Sequence, residues 1–201
     1  MINKIKKYLG KSDFTRSSEV GLHFLRRGFT LIETLVAVMI LMTAIVGPLT
    51  IVQKGLNATL IAKDQITAFY LAQDAIEYVR FVRDTNKLTP GNTDWLARLD
   101  TVPMCVSADG NTSCTIDSLD DTITNCPSNV CPVLYYNPAS VNGGQFTYTS
   151  GAPSIFTRAV TIQTPISGNA NEASTTVRVS WSDTAGKTRS VSVHENMFNW
   201  Q

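Results

Sequence analysis

Very few side chains in this sequence have the type and spacing that catalysis requires. His194 is the one histidine that follows residue 28, it stands beside Glu195, and no Gly-x-Ser-x-Gly nucleophile motif lies near it. Phosphate-binding loops, Rossmann glycines and clustered metal ligands are also missing from the sequence. A lone histidine at the end of a predicted strand favours a structural role. We therefore expect a protein that is not an enzyme and that has no catalytic residue, cofactor or metal.

Cysteines form the densest group of reactive side chains, at Cys105, Cys114, Cys126 and Cys131. Three disulfide connectivities are possible. We favour Cys105–Cys114 and Cys126–Cys131, because each pair brackets a turn-rich segment. The alternative is a zinc site, but the spacings of eight, eleven and four intervening residues contain no CxxC pair. Disulfides would place this part of the chain in an oxidising compartment.

Acidic side chains are frequent in the same region. They could ligate calcium, which takes many oxygen ligands, but no twelve-residue loop with a closing glutamate is present. A solvated acidic loop is the alternative that the pattern favours. The acids are Asp100, Asp109, Asp117, Asp120 and Asp121.

Glu33 is the one ionisable residue in an apolar run of 24 residues from Phe29 to Val52. A helix of this length measures about 36 Å, and the hydrocarbon core of a bilayer is roughly 30 Å thick. A carboxylate in such a segment costs up to roughly 2.5–3.5 kcal/mol at the helix centre and needs a partner. A buried core helix is the alternative, but apolar residues cover all sides of this one. Glu33 could also reach the membrane interface or stay protonated.

The charge distribution predicts the orientation in the membrane. Residues 1–28 hold seven Lys/Arg and two acids, whereas residues 29–201 hold ten Lys/Arg and fourteen acids. The basic leader should stay cytoplasmic, and the chain after about residue 53 should lie outside. The apolar run is too long for a secretory signal peptide, and no small-x-small cleavage site follows it.

Nucleic-acid binding is not expected to be strong, because residues 29–201 carry a net negative charge. Four aromatic residues could stack on bases, but aromatic residues in strands belong more often to the core. They are Tyr135, Tyr136, Tyr148 and Trp181.

The first two elements after the leader are both helical. Residues 29–53 form the membrane helix, and Gly47 and Pro48 within it predict a kink or a locally melted stretch. Residues 54–87 continue as an amphipathic helix, in which Glu77 and Arg80 are an i,i+3 ion pair. The predicted apolar stripe consists of Ile66, Phe69, Ala72, Ile76 and Val79.

The remaining chain divides into a cysteine-containing loop region, 88–145, and an antiparallel sheet, 146–201. Alternation predicts strands at Phe146–Thr149, Ile155–Gln163, Thr175–Ser182 and Arg189–His194. Val177, Val179 and Trp181 share one face, and a hairpin turn lies at 183–186. The dry face of the sheet should pack on the amphipathic helix, which gives an α+β fold.

The segment Arg26-Arg27-Gly28-Phe29-Thr30-Leu31-Ile32-Glu33 and the apolar run after it resemble the N-terminal signal of type IV pilins and type II secretion pseudopilins. A second segment, Ala68–Glu77, resembles minor members of the PilV-like group and the secretion I-type pseudopilins. The resemblance implies a pilin-like fold, in which a long N-terminal helix packs on an antiparallel sheet. It also implies a structural subunit of a pilus or pseudopilus, and the second segment favours a minor subunit.

Further expectations come from the same resemblance. Prepilin peptidase would cut between Gly28 and Phe29, remove the leader and methylate the new N-terminus, and Glu33 would then neutralise the N-terminal amine of a neighbouring subunit. The implied partners are prepilin peptidase, other pilin or pseudopilin subunits, the assembly platform and the inner membrane. The alternative is a single-pass, membrane-anchored protein for extracytoplasmic binding, adhesion or DNA uptake.

Overall fold

The computed structural model describes residues 28–100, 105–139, 144–183 and 186–199. In chain order it contains a long helix and eight strands, and the chain divides into two compact units between Thr50 and Ile51. The elements are α1 (Leu31–Leu88), β1 (Val106–Ser107), β2 (Cys114–Asp117), β3 (Thr122–Asn125), β4 (Val133–Asn137), β5 (Gln145–Thr147), β6 (Ala152–Gln163), β7 (Glu172–Ser182) and β8 (Thr188–Phe198).

Helix α1 ends where the sequence changes to turn-forming residues. Pro90 and Gly91 follow its last residue by two and three positions, and Gly91 adopts a positive φ of 84°. Proline does not continue a helix and glycine tolerates this left-handed backbone. The N–H of Thr89 donates to the carbonyl of Thr85 at 3.0 Å, which closes the last turn.

The sheet is antiparallel except at one short strand. Its order is β3-β2-β6-β4-β5, with β7 paired to β6 and β8 paired to β7, whereas β1 runs parallel to β6. All four predicted strands are present, as β5 to β8, and the last three are longer than predicted. The region 88–145 was expected to be loop-rich, and it also contains the short strands β1 to β4, which were not predicted. These strands have only two to five residues, too short for an alternating pattern to stand out.

The core lies between the sheet and the second half of α1. Val177, Val179 and Trp181 are buried on one face of β7, as predicted. On the helix, the predicted contacts of Ala72, Ile76 and Val79 are confirmed. The buried helix residues are Ala68, Leu71, Ala72, Ala75, Ile76, Tyr78, Val79, Val82 and Asn86.

Two members of the predicted stripe, Ile66 and Phe69, are exposed, so this part of the prediction was wrong. The completely buried positions nearby are Ala68 and Ala75. Small side chains let the helix backbone approach the sheet closely. The predicted stripe was chosen by side-chain hydrophobicity, which favours Ile66 and Phe69 over alanine.

Arg158 fixes α1 against the centre of the sheet. It lies on β6 with its side chain 2% exposed, and its Nη1 donates to the carbonyl of Leu71 at 2.8 Å and to Asp74 Oδ2 at 2.7 Å. Its Nη2 donates to the carbonyl of Ile116 on β2. A buried guanidinium is tolerated only when it is paired and hydrogen-bonded, and these contacts join the helix to two strands.

Candidate processing and assembly segment

The start of α1 is defined by a hydrogen-bonded cap. Residues Gly28, Phe29 and Thr30 precede the helix, and all three are exposed. The Glu33 N–H donates to Thr30 Oγ1 at 3.3 Å, and the Thr34 N–H donates to the Thr30 carbonyl at 3.2 Å. Thr30 is therefore the N-cap, a role that the sequence analysis missed although the Thr-x-x-Glu spacing is that of a capping box.

The predicted cleavage bond lies before this N-cap, whereas Glu33 lies after it in the first turn of the helix. The bond between Gly28 and Phe29 lies outside the helix, where backbone atoms are not tied up in helical hydrogen bonds. Glu33 lies in the first turn and its residue is exposed. Negative charge is favourable at this end of a helix, because the first N–H groups carry partial positive charge.

Among the described residues 28–50, the apolar side chains that follow are not covered by any other part of their own unit. Every residue from Phe29 to Thr50 is exposed, and α1 is long and apolar enough in this part to cross a membrane. The hydroxyls of Thr34, Thr43 and Thr50 donate to backbone carbonyls three residues earlier, at 2.7–2.9 Å. Such internal hydrogen bonds satisfy polar groups that lipid or an apolar neighbour could not satisfy.

Gly47 and Pro48 lie within α1, which is helical without interruption from Leu31 to Leu88. The expectation of a locally melted stretch is therefore wrong. A helix keeps its other backbone hydrogen bonds around a proline when nothing competes for them, so the loss of one N–H donor does not unwind it. The kink itself stays a prediction.

The four cysteines lie elsewhere, in the unit that begins at Ile51. Cys105–Cys114 and Cys126–Cys131 are disulfides with Cα–Cα distances of 5.0 and 4.6 Å, which confirms the favoured pairing. All four sulfur atoms are thus used, so none is available as a zinc ligand. The first disulfide is completely buried and joins the start of β2 to the residue before β1.

The five acids of this region do not converge on a cation. Asp117 is buried, and its carboxylate accepts hydrogen bonds from Thr147 Oγ1 at 2.6 Å and from the Tyr148 N–H at 2.7 Å. Asp120 accepts from Thr149 Oγ1, and Asp109 binds Asn111. Among the described residues, no group of three or more His, Cys, Asp or Glu side chains could hold a metal ion.

Asp121 belongs to a small polar cluster with Tyr78 and Arg98. The Tyr78 hydroxyl donates to Asp121 Oδ1 at 2.5 Å, and Arg98 pairs with the same oxygen at 3.0 Å. Burial and the Asp121 hydrogen bond raise the pKa of Tyr78 to about 12. The same hydroxyl and then Arg98 lower the pKa of Asp121. This cluster joins α1 to the loop after β2, so its role is structural.

His194 and the aromatic residues also have local partners. His194 Nδ1 lies 2.8 Å from Thr176 Oγ1 on the exposed face of the sheet. Trp181 is buried against Phe156, with the ring centroids 6.0 Å apart, and Tyr148 packs against the core. Tyr136 pairs with Phe146 at 5.0 Å. Trp181 and Tyr148 therefore belong to the core and not to an exposed surface on which bases could stack.

The fold is pilin-like: a long N-terminal helix is followed by a disulfide-containing α+β unit. The exposed apolar first half of this helix fits a membrane anchor. Residues 24–47 match the family model for the prokaryotic N-terminal methylation motif. This match includes Gly28, Phe29 and Glu33, and it supports the type IV pilin and pseudopilin family. No curated protein and no solved structure matches the chain.

Proposed function

We propose that this chain is a structural subunit, and a minor one, of a type IV pilus or a pseudopilus. Prepilin peptidase cuts between Gly28 and Phe29 at the cytoplasmic face and methylates Phe29. The mature subunit stays in the inner membrane until it is assembled through α1, with its disulfide-containing unit outside. The observation that carries this proposal is the methylation motif at residues 24–47. The proposed assignment to minor subunits rests on the resemblance of Ala68–Glu77 to minor members of this family.

Glu33 supplies the driving force for assembly in this proposal. After cleavage it is the fifth residue and lies about one turn from a cationic N-terminus. In lipid the carboxylate is costly, whereas beside the N-terminal amine of a neighbouring subunit it is paired. The free-energy difference between these two environments favours the transfer of the subunit from the membrane to the filament.

The exposed apolar face of α1 beyond the membrane segment supports the same proposal. Large apolar side chains are exposed along this part of the helix, and water is a poor environment for them. Packing against neighbouring helices would bury them. The residues are Leu56, Leu60, Ile66, Phe69, Tyr70 and Phe81.

A structural role, rather than an enzymatic one, is part of the proposal. Several ionisable groups of the described residues lie in local ion pairs and turns, such as Arg80 with Glu77 and Glu195 and Asp109 with Asn111. Such groups position the backbone, and the pair of Thr176 and His194 lies on the exposed face of the sheet.

The most informative experiment is an intact-mass measurement of the protein purified from its own membrane. We expect the mass of residues 29–201, increased by one methyl group and reduced by four hydrogens for two disulfides. The same chain from cells without prepilin peptidase is the control and should keep residues 1–28. A full-length mass in both preparations would refute processing and with it the proposal.

A second experiment isolates the role of Glu33. Glu33→Ala should insert into the membrane as the wild type does, but it should enter filaments much less efficiently, because its carboxylate no longer pairs with a neighbouring amine. Asp64→Ala, which removes an acid from α1 outside the membrane segment, is the matched control and should assemble normally. Equal filament incorporation of both variants would contradict the role of Glu33.

A further inference from the structure

Strand β8 is a long free edge of the sheet. Its eleven residues pair with β7 from Thr188 to Phe198 without a register shift. Among the described residues β8 has no other strand neighbour, whereas the other edge strands, β1, β3 and β5, have only two to four residues. A long edge presents a row of unpaired backbone groups that can bind another strand.

The backbone hydrogen bonds identify which residues of β8 face outwards. At the two ends of the hairpin, the Asp183 N–H donates to the Lys187 carbonyl and the Asn199 N–H donates to the Asn171 carbonyl, both at 3.0 Å. Hydrogen-bonded and non-hydrogen-bonded pairs alternate in an antiparallel ladder. The odd-numbered residues of β8 therefore bond to β7, and the even-numbered ones direct their N–H and C=O groups to the free edge.

This edge lacks the usual protection against strand pairing. It contains no proline, no lysine and no bulge, and its outward-bonding residues include the small, exposed Ser190 and Ser192. On the core-facing side of β8, Val191 and Val193 pack against the core but are only partly buried. A further strand at this edge would complete their burial, which is favourable for apolar side chains.

Two charged residues, Arg189 and Glu195, flank these valines on the same side of β8. Arg189 Nε donates to Asp183 at 2.9 Å, and Glu195 Oε1 accepts from Arg80 at 2.6 Å. Glu195 Oε2 is buried and has no hydrogen-bond partner, so a donor from a further strand would satisfy it. Along the edge the order is basic, apolar, apolar, acidic, and a bound strand has to match this order.

We propose that β8 binds an extended segment of a partner protein, antiparallel to β8. From its N-terminus to its C-terminus this segment reads basic-x-apolar-x-apolar-x-acidic. Its basic residue lies opposite Glu195 and its acidic residue opposite Arg189. Its two apolar residues lie opposite Val193 and Val191. A shift by one residue would turn the apolar side of the segment to the solvent, so side-chain complementarity selects this register.

The bound segment does not belong to a second folded copy of this chain. Antiparallel pairing at β8 would turn the α1 helix of such a copy in the opposite direction, whereas the apolar segments of both copies have to enter one membrane. A terminal tail or an extended loop is free of this constraint, because its main chain supplies the hydrogen bonds. Opposite Ser190, Ser192 and His194 it can form about six of them.

A peptide with the sequence of Thr188–Phe198 is a suitable probe. It has the required order of basic, apolar and acidic residues and carries no helix. We expect the labelled peptide to bind the full chain in detergent, measured by fluorescence anisotropy. A peptide with its charges exchanged, R189E with E195R, should bind about tenfold more weakly, because like charges then lie opposite each other at both ends. Equal or tighter binding of the exchanged peptide would overturn the antiparallel register.

Cysteine pairs test the register directly. Ser192 of the peptide faces Ser192 of the chain at a Cα–Cα distance of about 5.5 Å, within the range of a disulfide. The S192C peptide should therefore form a covalent adduct with the S192C chain, seen as an increase in intact mass. Ser190 lies about 14 Å from its counterpart, so the S190C pair should give no adduct. Equal adducts from both pairs, or S192C chain dimers that exclude the peptide, would contradict the proposal.

The Ser192→Pro substitution in the chain tests whether backbone pairing holds the peptide. Ser192 does not bond to β7, so proline removes an outward N–H and leaves the β7–β8 ladder intact. S192P should lose peptide binding, whereas S192A, which keeps the N–H, should bind as the wild type does. Both native disulfides should form in each variant. Peptide binding that persists in S192P would refute the proposal. The assay requires neither processing nor filaments, so its failure would leave the proposed function untouched.

Discussion

Arg158 shows how much of this fold depends on a single charged residue. Its guanidinium is almost completely buried and reaches the Leu71 carbonyl, Asp74 and the Ile116 carbonyl. Asp74 also accepts from Ser118 at 2.8 Å, so the network extends from the helix through β6 to the residue after β2. The net energy of such a buried ion pair is small, but removal of one partner leaves the others unpaired.

We predict that Arg158→Met lowers the free energy of unfolding by about 3–5 kcal/mol, because two buried carbonyls and Asp74 lose their donor. The measurement is chemical denaturation of the full chain in detergent, followed by tryptophan fluorescence. Arg178→Met is the matched control on β7, where the side chain is exposed and donates to Ser190 Oγ at 3.2 Å. Its effect should stay within about 0.5 kcal/mol. Equal losses for the two variants would contradict the role of Arg158.

Asp100 gives a prediction for pH. Burial, and then a hydrogen bond with Asp94, raise the pKa of Asp100 in the folded chain. A raised acid pKa means that the folded state binds the proton more tightly than the unfolded state does. This contribution to stability is therefore fully present below the unfolded value of about 3.9 and is lost as the pH rises through the folded pKa.

We therefore predict that Asp100→Asn raises the Tm at pH 7 and that its advantage shrinks below about pH 4, where the wild-type carboxyl is neutral. Thermal unfolding of both chains between pH 3 and pH 7 measures this difference. Asp109→Asn is the control, because the pKa of Asp109 is shifted in the opposite direction: hydrogen bonds from the Asn111 N–H groups lower it. It should lower the Tm at pH 7 or leave it unchanged. A pH-independent difference for Asp100→Asn would refute the prediction.

At the scale of the element, the two faces of α1 have different roles. The small residues Ala68 and Ala75 and the branched Val79 face the sheet and are completely buried. Phe69 is 43% exposed and lies on the face that we assign to neighbouring subunits. Sequence periodicity predicted the helix correctly but assigned residues of both faces to one stripe. Both faces carry apolar residues, and only the tertiary structure shows which of them contact the sheet.

Because the two faces of α1 have different contacts, we predict that a substitution on one face lowers stability and that a substitution on the other reduces assembly. Val79→Ala should lower the free energy of unfolding by roughly 1–3 kcal/mol, since it removes buried methyl groups and leaves a cavity. Phe69→Ala should change stability by less than about 0.5 kcal/mol but should reduce incorporation into filaments. Denaturation and filament yield, measured on both variants, test the assignment. A stability loss for Phe69→Ala that equals that of Val79→Ala would contradict it.

The elements that the sequence predicted correctly share a strong local signal. The membrane segment has one ionisable residue in a long apolar run, and the strands β6 to β8 alternate over eleven or twelve residues. The disulfide pairing was predictable because each pair closes a short turn-rich loop. Strands β1 to β4, the N-cap at Thr30 and the buried Arg158 were not predicted. The short strands and Arg158 depend on partners distant in sequence, whereas the Thr-x-x-Glu signal for Thr30 was present and overlooked.

At the scale of the whole molecule, the charge asymmetry and the disulfides both agree with the arrangement across the membrane that we propose. The basic leader precedes the apolar segment, and all four cysteines follow it and are oxidised. Lys and Arg remain on the cytoplasmic side, where thiols are kept reduced. If the leader and the cysteine region both lay in the cytoplasm, the disulfides would not be expected. If the leader lay outside and the cysteine region in the cytoplasm, neither the charge distribution nor the disulfides would be expected.

We therefore predict that Cys126 and Cys131, whose disulfide is less deeply buried than Cys105–Cys114, react with a membrane-impermeant maleimide in intact spheroplasts only after treatment with an impermeant reductant. The control is Ser17→Cys in the leader, expressed without prepilin peptidase so that the leader is retained. It should react only after the membrane is permeabilised, because we propose that residues 1–28 stay in the cytoplasm. Labelling of the leader cysteine in intact spheroplasts would reverse the orientation. Labelling of the native cysteines without reductant would show that the disulfides do not form in the membrane-bound chain.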